Sequence, residues 1–231
     1  MIKIIKREDR FFNDAGWLKS NWLFSFGNYY DPENIQFGKL RVFNDDRIAP
    51  KQGFPLHPHR EMEIVTIILE GEITHEDSMG NHETIKENEL QRMSAGTGIR
   101  HAEFNQSDEE LHLYQIWIFP NEEGLEPSYD QKQFDPEDWD GKLFKLATGF
   151  KGDNAPVKLN ADAAIYRANL NEGQTIDFSN KNEKDILIYL RNGKLSVNGT
   201  EAGKEDQLRI RSENELDIRA LERTEFLMIE S

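Results

Sequence analysis

Short runs of β-branched and aromatic residues, separated by tight-turn signals, constrain the fold of this chain more than any other feature. The runs recur along the whole sequence, for example at 37–43, 63–69, 113–119, 186–190 and 225–229. Asn192-Gly193 and Asn198-Gly199 are strong turn signals, because Asn and Gly tolerate the positive φ that two-residue hairpins require. Sustained helical periodicity is scarce. The pattern predicts an all-β chain built from sandwich or barrel domains.

Length and charge narrow the classes of function. A chain of 231 residues can hold one large β domain or two small ones. The formal net charge is -15 with no basic stripe to offset it, so contact with a nucleic-acid backbone or an anionic lipid would begin with repulsion. No segment approaches 18 consecutive apolar residues, and the first residues lack the apolar stretch of a signal peptide. We therefore expect a cytoplasmic protein that binds neither nucleic acid nor membrane directly.

The distribution of metal-binding side chains is uneven along the chain. There is no cysteine, which excludes thiolate metal sites and iron–sulfur clusters, so any transition metal must be held by imidazole and carboxylate groups. All six histidines precede the acidic, turn-rich segment 120–141, which is the best candidate linker. We predict two domains, residues 1–130 with the metal site and residues 131–231 without metal ligands.

The first motif with potential metal ligands is His57-Pro58-His59, which is followed by Glu63 and Gly71. Side chains alternate between the two faces of a strand, so residues 57, 59 and 63 share a face if the extension is regular. An HxH pair alone is a weak signal, because six histidines in a chain of this length produce about 0.16 such pairs by chance.

The second element is the stretch 96–105, in which His101 and Glu103 have the same parity and point the same way. Gly96 and Gly98 supply a sharp turn before this predicted strand. Three imidazoles and one carboxylate suit Fe(II), Mn, Ni, Cu or Zn and leave positions open for substrate or O₂. The ligand types alone do not choose among these metals.

Together the two elements resemble the paired motifs of the cupin superfamily, G…HxH…E…G and G…PxG…H…N. The matching residues here begin with Gly53 and end with Asn105. Two positions depart from the pattern: Gly96 stands where Pro is usual, and Leu90 stands where Gly is usual. Neither change removes a candidate ligand.

Longer stretches of the sequence point to one family within the cupin superfamily. These stretches are WLFSFGNYYDP (22–32), LRVFNDD (40–46), HPHREMEIVTIILEG (57–71), EDSMGN (76–81), MSAGTGIRHAEFN (93–105) and LHLYQIWIFP (111–120). These stretches resemble the pirin family, and especially its bacterial branch with quercetin 2,3-dioxygenase activity. The resemblance is looser over residues 131–231.

The resemblance implies a bicupin, that is, two β-barrel or jelly-roll domains of which only the N-terminal one binds metal. It also implies a ligand set that spacing leaves open. Many cupins take the carboxylate from the first motif, here Glu63, whereas pirin-like proteins take it from the second. The implied ligands are therefore His57, His59, His101 and Glu103, with Glu63 placed beside the site.

The activity that the resemblance implies is metal-dependent cleavage of a flavonol-like enol with O₂ and loss of carbon monoxide, with Glu103 as the catalytic base. One divalent metal is expected, Fe(II) foremost, with Mn, Ni, Cu, Zn or Co as alternatives, in a monomer. The alternative function is a metal-binding interaction protein that turns over no flavonol. We expect His75 and His82 to be solvated histidines beside a hairpin turn at 78–81, and His112 to have no functional role.

Overall fold

The computed structural model describes residues 1–231, and its regular structure is almost entirely β. The strands are β1 (Ile2–Ile5), β2 (Phe11–Asp14), β3 (Leu18–Trp22), β4 (Leu40–Ile48), β5 (Gly53–His59), β6 (Glu63–Glu70), β7 (Glu72–Asp77), β8 (His82–Lys86), β9 (Glu89–Ser94), β10 (Ile99–Phe104), β11 (Leu111–Ile118), β12 (Ser128–Gln133), β13 (Phe144–Thr148), β14 (Val157–Lys158), β15 (Ala164–Leu170), β16 (Thr175–Ser179), β17 (Ile186–Asn192), β18 (Lys194–Val197), β19 (Thr200–Gly203), β20 (Gln207–Ile210), β21 (Glu215–Ala220) and β22 (Thr224–Glu230). Two 3₁₀ turns occupy Arg7–Asp9 and Pro136–Asp138. No helix has the length and apolar character needed to cross a membrane. The predicted all-β class is confirmed.

The chain forms two compact units. The first unit comprises Phe11–Asp135 and Val157–Asp162, and the second comprises Met1–Arg10, Pro136–Pro156 and Ala163–Ser231. The predicted division after residue 130 falls inside β12, and the first ten residues belong to the second unit.

The segment 120–141, which the sequence predicts as a linker, contains an ordered strand, so this prediction is wrong for those residues. Strand β12 pairs with β9 in antiparallel register, from Ser128 opposite Ser94 to Gln133 opposite Glu89. It is an edge strand of its sheet, where polar side chains are common because they discourage pairing with other chains. The polar composition of the segment, which is typical of an edge strand, was therefore misinterpreted as that of a linker.

The first unit consists of two antiparallel sheets. The larger sheet has the strand order β12-β9-β6-β11-β4-β3-β2, and the smaller sheet has the order β5-β10-β7-β8. The hairpin between β7 and β8 reverses at residues 78–81, as predicted, with Glu76 opposite His82.

Two clusters of buried apolar side chains in the first unit have polar residues between them. One cluster contains Ile48, Ile68, Ile73, Ile85, Leu111 and Leu113, and the other contains Ile64, Met93, Ala95 and Ile99. On β6, Ile64 belongs to one cluster and Ile68 to the other, and buried Thr66 lies between them on the same face. This polar layer between the clusters is where the candidate site lies.

The second unit has an apolar interior. Its larger sheet includes the order β1-β20-β17-β22-β15-β13, and its smaller sheet has the order β16-β21-β18-β19. Between β18 and β19, Asn198 and Gly199 take φ values of 47° and 80°, which confirms the predicted two-residue turn. Ile188, Leu190 and Leu195 belong to the cluster of buried apolar residues that fills this unit.

Gly53 generates the first prediction, because β5 begins there in close contact with β10. A Cβ at this position would lie 2.2 Å from the carbonyl oxygen of Glu103 and 2.6 Å from the Cα of Phe104. The Gly53→Ala substitution should therefore force the two strands apart and lower the free energy of unfolding by about 1–3 kcal/mol. Urea unfolding measures this change.

The matched control is Gly203→Ala, on β19. A Cβ there would approach nothing closer than a carboxylate oxygen of Asp206 at 3.8 Å, which is ordinary van der Waals contact. This substitution should not destabilise the protein. Equal losses of stability in the two variants would contradict the proposed crowding at Gly53.

Candidate metal centre

Strand β10 assembles the candidate site because it lies between β5 and β7. On one side, His101 is opposite His57 of β5. On the other side, His101 is opposite Asp77 and Glu103 is opposite His75 on β7. Directly opposed residues point to the same face of a sheet, so these side chains project together into the interior. A bulge between His101 and Glu103 shifts the register against β5.

Three of the predicted residues converge. The ring centroids of His57 and His101 are 4.4 Å apart, and the ring of His59 lies 4.8 Å from His57 and 4.9 Å from His101. One nitrogen from each imidazole lies within 4.8 Å of the other two. Nδ1 of His57 contacts the Pro55 carbonyl oxygen at 2.8 Å and can donate a hydrogen bond to it, which leaves the lone pair on Nε2. The HxH pair therefore lies on a strand and presents its nitrogens to a common point.

Glu103 lies in an overlapping group. One of its carboxylate oxygens, with nitrogens of His75 and His101, forms a second set of atoms within 4.8 Å of one another. Nε2 of His101 and Oε1 of Glu103 are both buried and have no hydrogen-bond partner in the protein. Leaving such groups unsatisfied costs about 1–3 kcal/mol each. Nitrogen and carboxylate donors left free in this way fit a divalent transition metal.

The ionisation of these groups favours metal binding. Burial, reinforced by neighbouring imidazoles, lowers the pKa of His59 to about 4 and the pKa of His101 to about 3. Both rings are therefore neutral at pH 7, with lone pairs available for coordination. Burial raises the pKa of Glu103, although His75, His57 and His59 act in the opposite direction. A cation would restore the charged carboxylate.

Amides from the larger sheet reach across to these groups. Gln115 on β11 donates from Nε2 to Oε2 of Glu103 at 3.2 Å, and its own Oε1 accepts from the hydroxyl of Thr66 at 3.1 Å. Gln91 on β9 contacts Nδ1 of His75 through its Nε2 at 3.3 Å. These contacts fix the orientations of the Glu103 and His75 side chains, as hydrogen-bond partners of metal ligands do in other metal sites.

His75 is fully buried, so the expectation that it is a solvated histidine is wrong. Its side chain shares a face of β7 with Ile73, and the hairpin turn begins only after Asp77. Nε2 of His75 lies 3.0 Å from Oδ2 of Asp77, and its Nδ1 lies 3.4 Å from Nδ1 of His101. The apolar–His–acid alternation of this strand was the signal in the sequence that identifies it. By contrast, His82 is solvent-exposed, as expected.

Glu63 does not share a strand with the histidine pair. Strand β5 ends at His59, and Glu63 begins β6 in the other sheet, after a reversal that includes Glu61 at φ 50°. The parity argument that linked residues 57, 59 and 63 is therefore wrong. Oε2 of Glu63 instead accepts the backbone N–H of Asn160 at 3.0 Å, and the side chain of Asn160 donates to Ser94 at 3.0 Å. Glu63 anchors the segment Val157–Asp162 of the first unit.

A cavity of about 390 Å³ adjoins the imidazoles. Its polar lining comes from both sheets: His57, His59 and Glu103 from the smaller one, and Ser20, Asn44, Asp46 and Gln115 from the larger one. Its apolar lining includes Leu18, Trp22, Phe26, Phe54, Leu56 and Trp117. The size and the mixture of aromatic walls with a few polar groups are typical of small-molecule sites.

The family follows from comparison with known proteins. The sequence profile of the Pirin family matches residues 5–118, and the profile described as Quercetinase C-terminal cupin domain matches residues 147–231. A protein of Escherichia coli (strain K12) named quercetin 2,3-dioxygenase is 42% identical over 231 residues, which span 100% of this chain and 98% of that protein. The chain belongs to the pirin family.

Other relatives agree. The pirin-like protein of Caulobacter vibrioides is 41% identical over 218 residues, 94% of each chain. The crystal structure of the bacterial pirin YhhW from Escherichia coli in complex with nickel(II) superimposes with a TM-score of 0.93 at 40% identity, over 100% of this pirin and 98% of that chain. The predicted bicupin architecture is confirmed by the two matched profiles and this structural similarity.

Asp46 is a buried carboxyl group in the cavity wall of this pirin. The hydroxyl of Ser20 donates a hydrogen bond to its Oδ1. Burial raises the pKa of Asp46 to about 7; the Ser20 hydrogen bond opposes this shift, and the charges of Asp45 and Glu103 add to it. The group is therefore partly protonated at neutral pH.

This shift predicts how stability depends on pH. The folded chain retains the Asp46 proton, whereas the unfolded chain releases it near pH 3.8, so the contribution of this group to stability falls as pH rises towards 7. The slope is about 1.4 kcal/mol per pH unit, and the contribution is constant above that range. The Asp46→Asn substitution removes this titratable carboxyl group and, with it, this contribution to the pH dependence of stability. The stability of this variant relative to the parent should therefore be higher at pH 8 than at pH 5.

Denaturant unfolding of the metal-free parent and variant at the two pH values measures the difference. A relative stability that is the same at pH 5 and pH 8 would show that Asp46 is not a shifted acid.

Proposed function

We propose that this pirin is a metal-dependent dioxygenase that cleaves a flavonol-like enol, with one divalent metal held by His57, His59, His101 and Glu103. The observation that carries the proposal is the cluster of three imidazoles, two of which line a cavity with aromatic walls, together with the buried carboxyl group of Glu103 in the same cavity. The similarity to the Escherichia coli protein named quercetin 2,3-dioxygenase supports the same activity.

Fe(II) is our first candidate for the metal. Mn, Ni, Cu, Zn and Co accept the same nitrogen and oxygen donors, and the related bacterial pirin was solved with nickel(II). When bound, such an ion supplies Lewis acidity to an enolate oxygen and supports reaction with O₂. Both oxygen atoms enter the organic product and one carbon leaves as carbon monoxide, so the reaction needs no external reductant.

Glu103 is the proposed base. Its carboxyl group lines the cavity, and Gln115 donates to Oε2 while Oε1 has no partner in the protein. Burial raises its pKa, which strengthens it as an acceptor of the substrate hydroxyl proton. In the proposed site the three imidazoles are committed to coordination, which leaves Glu103 as the cavity-lining carboxyl group that clusters with one of them, His101.

Aromatic side chains form the binding surface for a planar substrate. Trp117 packs edge-on against His59 at 4.9 Å and against Phe26 at 5.4 Å, and Phe26 contacts Trp22 at 5.3 Å. This chain of rings extends from a proposed ligand along the cavity wall. Such surfaces bind flat aromatic molecules and exclude water from their faces.

His75 and Asp77 orient His101. In the proposed site, His101 binds through Nε2, which is the nitrogen without a protein partner, so its Nδ1 carries the proton. That N–H faces Nδ1 of His75, and the Nε2–H of His75 then donates to Asp77. A carboxylate that acts through an imidazole on a ligand resembles the arrangements that fix ligand tautomers in metal sites.

Turnover of quercetin tests the proposed function and distinguishes the role of Glu103 from that of Glu63. Metal-loaded parent protein should consume quercetin, seen as loss of its visible absorbance. Glu103→Gln should lose at least about 100-fold in rate, because an amide cannot take the proton. Glu63→Gln is the matched control. Its amide oxygen can still accept the Asn160 N–H, so it should stay within about tenfold of the parent.

The opposite ranking of the two variants would overturn the assignment of Glu103. A parent protein that keeps one equivalent of metal but leaves quercetin absorbance unchanged would favour the alternative, a metal-binding interaction protein without flavonol turnover.

A second pair of variants tests the orienting role of His75. His75→Asn should weaken metal binding by about 10–100-fold, because His101 loses the partner that fixes its tautomer. His82→Asn alters an exposed histidine of the neighbouring strand and should leave affinity unchanged. Competition between each protein and a chelator for Ni²⁺ measures the affinities, and unfolding of the metal-free proteins checks that the fold is intact. Equal affinities in the two variants would exclude the role.

A further inference from the structure

The larger sheet presents a polar row to the cavity that the proposed chemistry does not use. Asn44 and Asp46 lie on β4, and Ser20 on β3 is directly opposite Asp46. All three are buried and line the cavity. The remaining cavity wall on this sheet includes the rings of Trp22 and Trp117. A row of polar groups set among aromatic rings marks a place where a ligand presents its own polar atoms.

Asn44 has an unpartnered amide oxygen in this row. Its side chain is only 4% exposed, and its Oδ1 has no hydrogen-bond partner in the protein. Buried amide oxygens are nearly always satisfied, and an unmade hydrogen bond there costs about 1–3 kcal/mol. Since Asn44 lines the cavity, a molecule in the cavity can supply the missing donor. The group that it needs is an O–H or N–H.

Asp46 and Ser20 add the complementary chemistry. The Ser20 hydroxyl is already oriented, because it donates to Oδ1 of Asp46. Asp46 thus presents to the cavity a carboxyl group that Ser20 holds in place, and its oxygens can accept a hydrogen bond from a ligand hydroxyl. A hydroxyl group donates such a bond, and therefore matches the pair formed by Asn44 and Asp46.

The position of the row relative to the proposed metal ligands follows from strand order. Gln115 on β11 contacts Glu103, and Asn44 is directly opposite Gln115 on the adjacent strand β4. Neighbouring strands are about 4.8 Å apart, so Asn44 lies one strand beyond the residue that contacts Glu103. A ring held with one edge at the imidazoles would bring a different edge to Asn44.

We propose that Asn44 and Asp46, supported by Ser20, form a subsite for a hydroxyl group on the part of the substrate that lies away from the metal ligands. The cavity therefore selects polyhydroxylated flavonols over a flavonol that carries only the adjacent hydroxyl and ketone. This inference rests on the proposed function, because it assumes that those two oxygens face the metal ligands.

Ligand binding without turnover tests the subsite. Metal-loaded parent and Asn44→Leu proteins are titrated without O₂ with quercetin and with 3-hydroxyflavone, and quenching of tryptophan fluorescence reports binding, since Trp22 and Trp117 line the cavity. The parent should bind quercetin at least about tenfold more tightly than 3-hydroxyflavone. In Asn44→Leu the ratio should fall below about threefold, through weaker quercetin binding. Asn44→Ala provides the same comparison if the leucine variant does not fold.

The matched control is Asn21→Leu, the same change on β3 at a residue that does not line the cavity, and it should keep the parental ratio. Equal affinities of the parent for the two flavonols, or a ratio unchanged in the Asn44 variants, would overturn the subsite and leave the proposed function standing. If neither flavonol binds the parent, the proposed function fails and the subsite fails with it.

Discussion

The rest of the first unit depends on the burial of imidazoles and a carboxylate between two apolar clusters. His101 and Glu103 are almost completely buried, and groups of this kind are costly in a protein interior unless each polar atom has a partner. Gln115 donates a hydrogen bond to Oε2 of Glu103, and His75 contacts Nδ1 of His101. The atoms that remain free are the ones we assign to the metal. The contacts of Gln115 and His75 and the unpartnered atoms of Glu103 and His101 are thus two consequences of one constraint.

Sequence reasoning predicted those parts of the site that depend on alternation within one strand. His57 and His59 on β5, and His101 and Glu103 on β10, are i and i+2 pairs whose side chains face the same way. The same reasoning failed for Glu63, because the chain reverses between β5 and β6. Strand pairing is a property of the folded chain, so the approach of His75 to His101 was not predicted. The ligand set itself stays a prediction.

The two units show how the same all-β architecture can hold either a site or a packed core. In the second unit, alternate residues of β17 are Ile186, Ile188 and Leu190, all buried in one apolar cluster. Glu230 is the buried acid on β22, and it accepts the hydroxyl of Tyr166. The corresponding alternation on β6 of the first unit places Thr66 between two isoleucines. The two units therefore differ in the side chains that their central strands bury: apolar along β17, and interrupted by a polar residue along β6.

Charge balance connects the carboxyl groups of the cavity to the proposed substrate. The carboxyl groups that line the cavity are those of Glu103 and Asp46. In the proposed site the imidazoles of His59 and His101 are neutral, so a divalent cation and an ionised Glu103 would present one net positive charge to the cavity. An enolate would cancel that charge, and a second ionised carboxylate in the cavity wall would weaken the preference for it. Burial raises the pKa of Asp46 to about 7, which keeps much of that group neutral near pH 7 and leaves it able to form hydrogen bonds. In the proposed function, the burial that raises the pKa of Asp46 therefore also helps the cavity to favour an anionic substrate.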